Sequence, residues 1–443
     1  MNKNEFIADF ITNARLADFP DRVIFKAKLV LLDALGVGLA GTSSRASEIT
    51  RRFIASFPMG PEEARLWGRP GKTSCLWAAW ANSVAASCLD ADDGHREALG
   101  HPGGVIVPVA MALAERLRAS GRDLLEAIVV GYEVGLRVGM FLNRDQVNTF
   151  YGSGTWTALG AAAAGARLLC LGPKECLHAL GVAEVNTPLA LIMNWISLRQ
   201  PPEVKEGMGW GALTGLSAAL LAEQGLLGVF SMPEQPGGEI IIRDLGRNFE
   251  ITRIYFKQHS ACRWTHSAID GIIQALREHD LKQEMIQKIV IATHRKAANL
   301  DNPRPAWAEA AQYSIPFTVA TALIHGRIGP DQMGRVGLSD QKVLALADKV
   351  IVECDTELDK RYPETSMARV TIKTTNSQTI VVLPKEWTKG DCQDPFTGPE
   401  LEEKFRLYAG HILLAGRVDA IIKVVKDLEG LRRVDELTEL LVP

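Results

Sequence analysis

Helical periodicity runs almost unbroken from the N-terminus to about residue 257, and strand-like alternation takes over beyond it. "FKAKLVLLDALGVGLAG" brings Leu29, Leu32, Leu35 and Val37 close together on a helix that ends in glycines. In "GRDLLEAIVVGYEVGLRVGMFL", Gly131, Gly135 and Gly139 recur every four residues, a spacing that lets two helix backbones approach closely. It is not a dinucleotide fingerprint, which needs a strand before G-x-G-x-x-G. "GSGTWTALGAAAAGARLLCLG" and "GWGALTGLSAALLAEQGLLG" are dominated by small residues and read as helices in the middle of a bundle. "NTPLALIMNWISLRQPPEVKEGMG" between them reads as a loop over the bundle end. Further on, "IQKIVIAT", "KVIVECD", "ARVTIKT" and "QTIVVLP" alternate as strands, the last two around the turn "TNS". From Gly398 the helical pattern returns. The expected fold is mainly α: a discontinuous helical bundle (1–257 and 398–443) interrupted by a smaller α+β domain (258–397). The cleft between the two is the expected ligand site.

Composition narrows the function classes. A chain of 443 residues exceeds a single core, and its 47% hydrophobic and 23% charged residues are ordinary for a globular protein. The net charge of −3 supplies no global field for nucleic acid or an anionic membrane. The N-terminus lacks an apolar h-region, and no stretch reaches the roughly 18 uncharged apolar residues of a membrane span. Seven scattered cysteines without a C-x-x-C pair argue against a disulfide framework, a structural zinc site or an iron–sulfur cluster. Reduced thiols in a cytoplasm are the expectation.

Four polar clusters carry the candidate chemistry. "DADDGHREALGHPGG", Asp90–Gly104, concentrates acids and histidines in one loop, without EF-hand register or an H-E-x-x-H helix face. Asp92 or Asp93 is expected to end a helix, and His95, Arg96 and Glu97 read as solvated. "YFKQHSACRWTHSAID" sets Lys257, His259, Arg263 and His266 at the change of texture, where they can receive an anion. In "PPEVKEGMGWG", Lys205 precedes a helix whose N-terminal dipole opposes it, which favours a functional role. In "FYGSGTW", Tyr151, Ser153 and Thr155 begin a helix whose N–H groups can bind a carboxylate.

"LLDALGVGLAG", "DADDGH", "GHPGG", "GYEVGLRVG", "YGSGTW", "HSACRWTHSAIDG" and "QYSIPFTVATALIHG" resemble, in that order, segments of the MmgE/PrpD family. The resemblance spans nearly the whole chain. It implies a helical domain plus a smaller α+β domain, a homodimer, and action on di- or tricarboxylates without an iron–sulfur cluster. Position by position, the family's acidic motif falls on Asp90–Asp93 and its His-Pro on His101-Pro102. Its active-site lysine falls on Lys205, and the histidine of its Thr-His pair on His266. Two positions depart: Tyr151 stands where dehydratase- and decarboxylase-like members tend to have histidine. Phe317 stands where they tend to have tyrosine, with Tyr313 four residues earlier.

These readings set the expectations. His101, Lys205, Tyr151 and His266 are the expected catalytic groups; Asp90, Asp93, Lys257, Arg263, Ser153 and Tyr313 are expected around the substrate. No metal or cofactor is expected. The two departures favour a cofactor-independent epimerase, which removes and returns a proton α to a carboxylate, with an amino-dicarboxylate such as iminodisuccinate as substrate. The alternatives are a hydro-lyase of the 2-methylcitrate dehydratase type, a cis-aconitate-type decarboxylase, or a catalytically silent carboxylate-binding relative.

Overall fold

The structure is a computed structural model that describes residues 2–57, 60–146, 149–196, 201–279 and 281–443. Its helical part is built on α1 (Asp21–Gly41), α2 (Cys75–Ser87), α3 (Gly103–Leu117), α4 (Gly121–Leu142), α5 (Ser153–Leu168) and α6 (Met208–Glu223). The recurrent glycines of α4 act as their spacing implies. A Cβ on Gly131 would lie 2.9 Å from the Gly160 carbonyl oxygen of α5, and one on Gly135 would lie 3.2 Å from the Gly160 Cα. The α4 and α5 backbones thus touch, and only glycine fits between them.

The α+β part holds α7 (Arg263–Glu278), α8 (Ile315–His325) and the strands β1 (Ile286–Thr293), β2 (Val350–Cys354), β3 (Ala368–Thr374) and β4 (Thr379–Val382). The strand order is β2-β1-β3-β4; β1 pairs with β2 in parallel and with β3 antiparallel, and β3–β4 is the hairpin around "TNS". On β4 the buried Ile380 and Val382 alternate with outward-facing neighbours, a half-buried edge. Helix α7 packs on β3 and β4, where Gly271 permits close approach to Val370.

The chain then returns to the first core through α9 (Gly398–Ala409) and α10 (Ala415–Lys426). Phe405 of α9 presses on Gly36 of α1, and Leu401, Phe405, Val418 and Ile421 belong to the same apolar cluster as α1–α6. A second cluster gathers residues 261–382. The fold is therefore mainly α, with a discontinuous helical bundle and an inserted mixed-sheet unit. Among the described residues, no helix is long and apolar enough to cross a membrane.

One local expectation changes. The segment after α5 does not simply loop over the bundle, because Ile192–Ile196 forms a short helix whose Ile192 and Ile196 enter the second cluster. Ser197–Gln200 lie outside the described residues.

Candidate active site

The loop after α2 lies between the two clusters. Helix α2 stops at Ser87, ahead of the acids expected to end it, and Asp90 takes a left-handed φ of 48°. Gly94 exchanges both backbone hydrogen bonds with Tyr255, while Gln312 donates to the Cys88 carbonyl across the junction. The loop is consequently buried, with Asp90, Asp92, Asp93, His95 and His101 all at 0 to 6% exposure. The reading of His95–Glu97 as solvated is corrected here. His95 is buried against Glu250 at 3.3 Å, and Arg96 reaches Asp391 at 2.8 Å. Glu97 does lie near the surface, paired with Arg253.

His101 has a defined tautomer. Its Nδ1 lies 2.7 Å from the Asp93 carbonyl oxygen, which can only accept, so Nδ1 carries the hydrogen and Nε2 keeps its lone pair. Burial first, then the Lys257 and Lys205 charges, pushes the imidazole pKa down to about 3, so it is neutral at pH 7. Asp93 is itself fixed, accepting from the Gly103 N–H and the Tyr132 hydroxyl, both at 2.8 Å. Burial, reinforced by the charge of Asp33, raises its carboxyl to about 7.

Two lysines converge on Asp90. Lys205 Nζ lies 3.0 Å from its Oδ1, and the fully buried Lys257 donates to the same oxygen and to the Asp90 carbonyl. Burial alone would raise the Asp90 carboxyl, but the two ammonium groups outweigh it and hold it ionised. Burial would likewise lower Lys205, yet Asp90, Tyr313 and Glu206 keep its pKa well above the usual lysine value. Lys205 is therefore an ammonium.

Lys205, Glu206 and Gly207 all adopt left-handed φ angles, of 35°, 56° and 72°, just before α6. Such a conformation strains the two non-glycine residues by roughly 1–3 kcal/mol each. It sets both side chains against Tyr313, whose hydroxyl accepts from Lys205 Nζ at 3.1 Å and donates to Glu206 Oε1 at 3.0 Å. Glu206 Oε2 accepts from the Ser153 N–H at 3.0 Å and from its Oγ at 2.5 Å. The carboxylate site expected at the start of α5 thus exists, and the chain's own Glu206 fills it.

On the other wall, Arg263 and Arg96 share Asp391: Arg263 Nη2 lies 2.7 Å from Oδ2, and Arg96 Nη2 lies 2.8 Å from Oδ1. His266 donates from Nε2 to the Ala261 carbonyl at 3.1 Å and accepts at Nδ1 from Arg263 at 3.2 Å. Both of its nitrogens are engaged, and burial followed by the Arg263 charge keeps it neutral. The structure brings this expected catalytic residue to Arg263 as a support.

The result is a cavity at the junction, lined by His101, Glu206, Tyr313, Arg96, Arg263 and Tyr255. Phe150, Trp264 and Tyr362 give it an apolar side. Of the expected residues, His101, Arg263 and Tyr313 reach the cavity, while Lys205, Asp90, Lys257, Asp93, Ser153 and His266 stand behind them. Tyr151 is not among the lining residues; its backbone pairs with Asn143 and bridges to Leu191. Phe317 is fully buried and also absent from the lining, whereas Tyr313 is part of it. Sequence reasoning missed Glu206 and Arg96 as site residues. Glu206 adjoins Lys205, which was singled out for chemistry, and Arg96 lies in the stretch read as solvated; nothing in sequence gives the partner of either.

Asp90, Asp92 and His101 each offer a ligand atom within 4.8 Å of one another. Among the described residues both Asp92 oxygens lack a hydrogen-bond partner, and burial raises its carboxyl pKa well above the usual carboxylate value. Asp90 is already shared by the Lys205 and Lys257 ammonium groups, which would compete with a cation for it.

Comparison with known proteins agrees with this architecture. The MmgE/PrpD N-terminal domain matches residues 5–243, and the MmgE/PrpD C-terminal domain matches residues 259–429. Cis-aconitate decarboxylase of Homo sapiens is 28% identical, over 99% of this chain and 94% of its own length. Cis-aconitate decarboxylase of Aspergillus terreus (strain NIH 2624 / FGSC A1156) is 25% identical, over 98% of this chain and 95% of its own. A cis-aconitate decarboxylase-like protein of Aspergillus oryzae (strain ATCC 42149 / RIB 40) is 26% identical, over 98% and 96%.

Proposed function

Because the chain belongs to the MmgE/PrpD family, we propose that it is a lyase of small tricarboxylates, a decarboxylase of cis-aconitate or a close analogue. The observation that carries this reading is the end-to-end match to cis-aconitate decarboxylases, which leaves no part of the site outside the compared region. The geometry supplies a matching chemistry. Arg263 and Arg96 line the cavity and, although both bind Asp391, bring two positive charges to its wall, with Lys205 and Lys257 adding positive potential behind them. The apolar side formed by Phe150, Trp264 and Tyr362 suits a carboxylate about to leave as neutral carbon dioxide.

In the reaction, the carbon–carbon bond to the departing carboxylate breaks, and its electron pair forms a new alkene to the central carbon. The old alkene pair takes a proton at the carbon α to another carboxylate. In this reading the Tyr313 hydroxyl gives that proton and regains one from the Lys205 ammonium that donates to it, while neutral His101 offers only an acceptor at Nε2. The expected iminodisuccinate epimerase activity draws no support from the relatives. Its residue arguments also weaken, since Phe317 lies outside the cavity and Lys205 is held as an ammonium. The test is carbon dioxide release from cis-aconitate, run beside 2-methylcitrate and iminodisuccinate. Carbon dioxide from cis-aconitate supports the reading. Water loss from 2-methylcitrate or interconversion of iminodisuccinate isomers, without decarboxylation, overturns it.

A further inference from the structure

Resting on that acid–base reading of the cavity, we propose that Glu206 is a positioning residue that couples Tyr313 to His101 through a single carboxylate. Its Oε1 takes the Tyr313 hydroxyl at 3.0 Å, and its Oε2 takes the Ser153 hydroxyl and N–H. Ser153 Oγ in turn accepts from the backbone N–H of His101 at 2.9 Å. One side chain therefore fixes where the phenol points and where the imidazole-bearing loop sits, although the two come from different parts of the fold.

Two further observations bear on Glu206. The turn that presents it carries two strained non-glycine residues in succession, a conformation that persists only where the surroundings over-determine it. The neighbouring helix start is cleared for that turn. A Cβ on Gly152 would lie 3.1 Å from the Glu206 Cβ, and one on Gly154 would lie 2.2 Å from the Gly207 carbonyl oxygen. The "GSG" of "FYGSGTW" is thereby explained: two glycines admit the turn, and the serine between them meets its carboxylate. A carboxylate on the wall of an anion-receiving cavity also opposes substrate binding, so its value lies in what it holds. The expected signature is loss of kcat without loss of affinity.

The test compares wild type with Glu206→Gln, Ser153→Ala and Tyr313→Phe. An amide cannot accept from Tyr313 and Ser153 with both of its ends. Glu206→Gln should lower kcat by about 10-fold or more, while KM for cis-aconitate stays level or falls. The Glu206→Gln/Tyr313→Phe double variant should be about as slow as Tyr313→Phe alone. A substrate-free readout separates this inference from the substrate assignment: ¹⁹F NMR of protein labelled with 3-fluorotyrosine at its six tyrosines. The resonance that disappears in Tyr313→Phe should shift in both Glu206→Gln and Ser153→Ala. A raised KM with kcat intact, additive losses in the double variant, or a Tyr313 resonance unmoved in Ser153→Ala would each overturn the proposal. Ser153→Ala carries the test should Glu206→Gln fail to fold. Failure of wild type to turn over cis-aconitate counts against the function reading alone, because the resonance shift needs no turnover.

Discussion

At the level of single residues, the chemistry of the cavity depends on the state in which each ionisable group is held. His101 donates from Nδ1 to a backbone carbonyl and is kept neutral by burial and two lysines. An ordinary histidine gains its proton as the pH falls through about 6.5; this one, with its pKa pushed to about 3, should stay neutral across that range. Imidazole ¹⁵N NMR should therefore show the resonance that is lost in His101→Asn unchanged from pH 7.5 to 5. A midpoint near 6.5 would contradict the burial argument. The same substitution should lower kcat by about 100-fold or more. Much of this site was legible in the sequence: the acidic loop, His101, Lys205 and the Arg263 cluster all meet at one junction. Partnership was not legible. In "VKEG" Lys205 stands out against the helix dipole but Glu206 does not, and only the fold shows one on Asp90 and both on Tyr313. Arg96 was hidden for the same reason, since its partner Asp391 lies almost 300 residues further along the chain.

At the scale of elements, the small-residue helices do the positioning. The contact of α4 with α5 fixes where α5 begins, and α5 begins with Ser153 beneath His101. Gly160 is the tightest point, where an added Cβ would lie 2.6 Å from the Gly131 carbonyl oxygen, a backbone atom that cannot swing aside. Gly160→Val should destabilise the protein by about 2 kcal/mol or more, read as a lower denaturant midpoint, and should reduce turnover by displacing Ser153. Unchanged stability would mean that the two backbones can separate freely. This packing was readable because glycines four apart mark one helix face whatever the partner. The role of Ile192–Ile196 was not readable: a short apolar run carries too few positions to show a period, and its burial depends on the second cluster beside it.

At the scale of the whole molecule, the site exists because the chain crosses between two apolar clusters and comes back. Lys404 of the returning α9 donates to Asp33 of α1 at 2.6 Å and to the Ala91 carbonyl at 2.7 Å, tying the acidic loop to the C-terminal segment. The switch from helical to strand periodicity made this architecture legible, since each period survives without knowledge of its partners. With Asp90 of the Asp90–Asp92–His101 trio already paired with two lysines, dialysis against a chelator should leave turnover unchanged. Loss of activity restored by a divalent cation would contradict that charge argument. The proposed activity is decarboxylation of a tricarboxylate in the junction cavity through acid–base groups. Proton NMR of cis-aconitate turnover in D2O tests it most directly, with wild type and Lys205→Ala side by side. Wild type should release carbon dioxide and place one deuterium on a carbon α to a remaining carboxylate, and Lys205→Ala should do neither. Deuterium exchange into recovered substrate without carbon dioxide, or equal turnover by the folded Lys205→Ala protein, would contradict it.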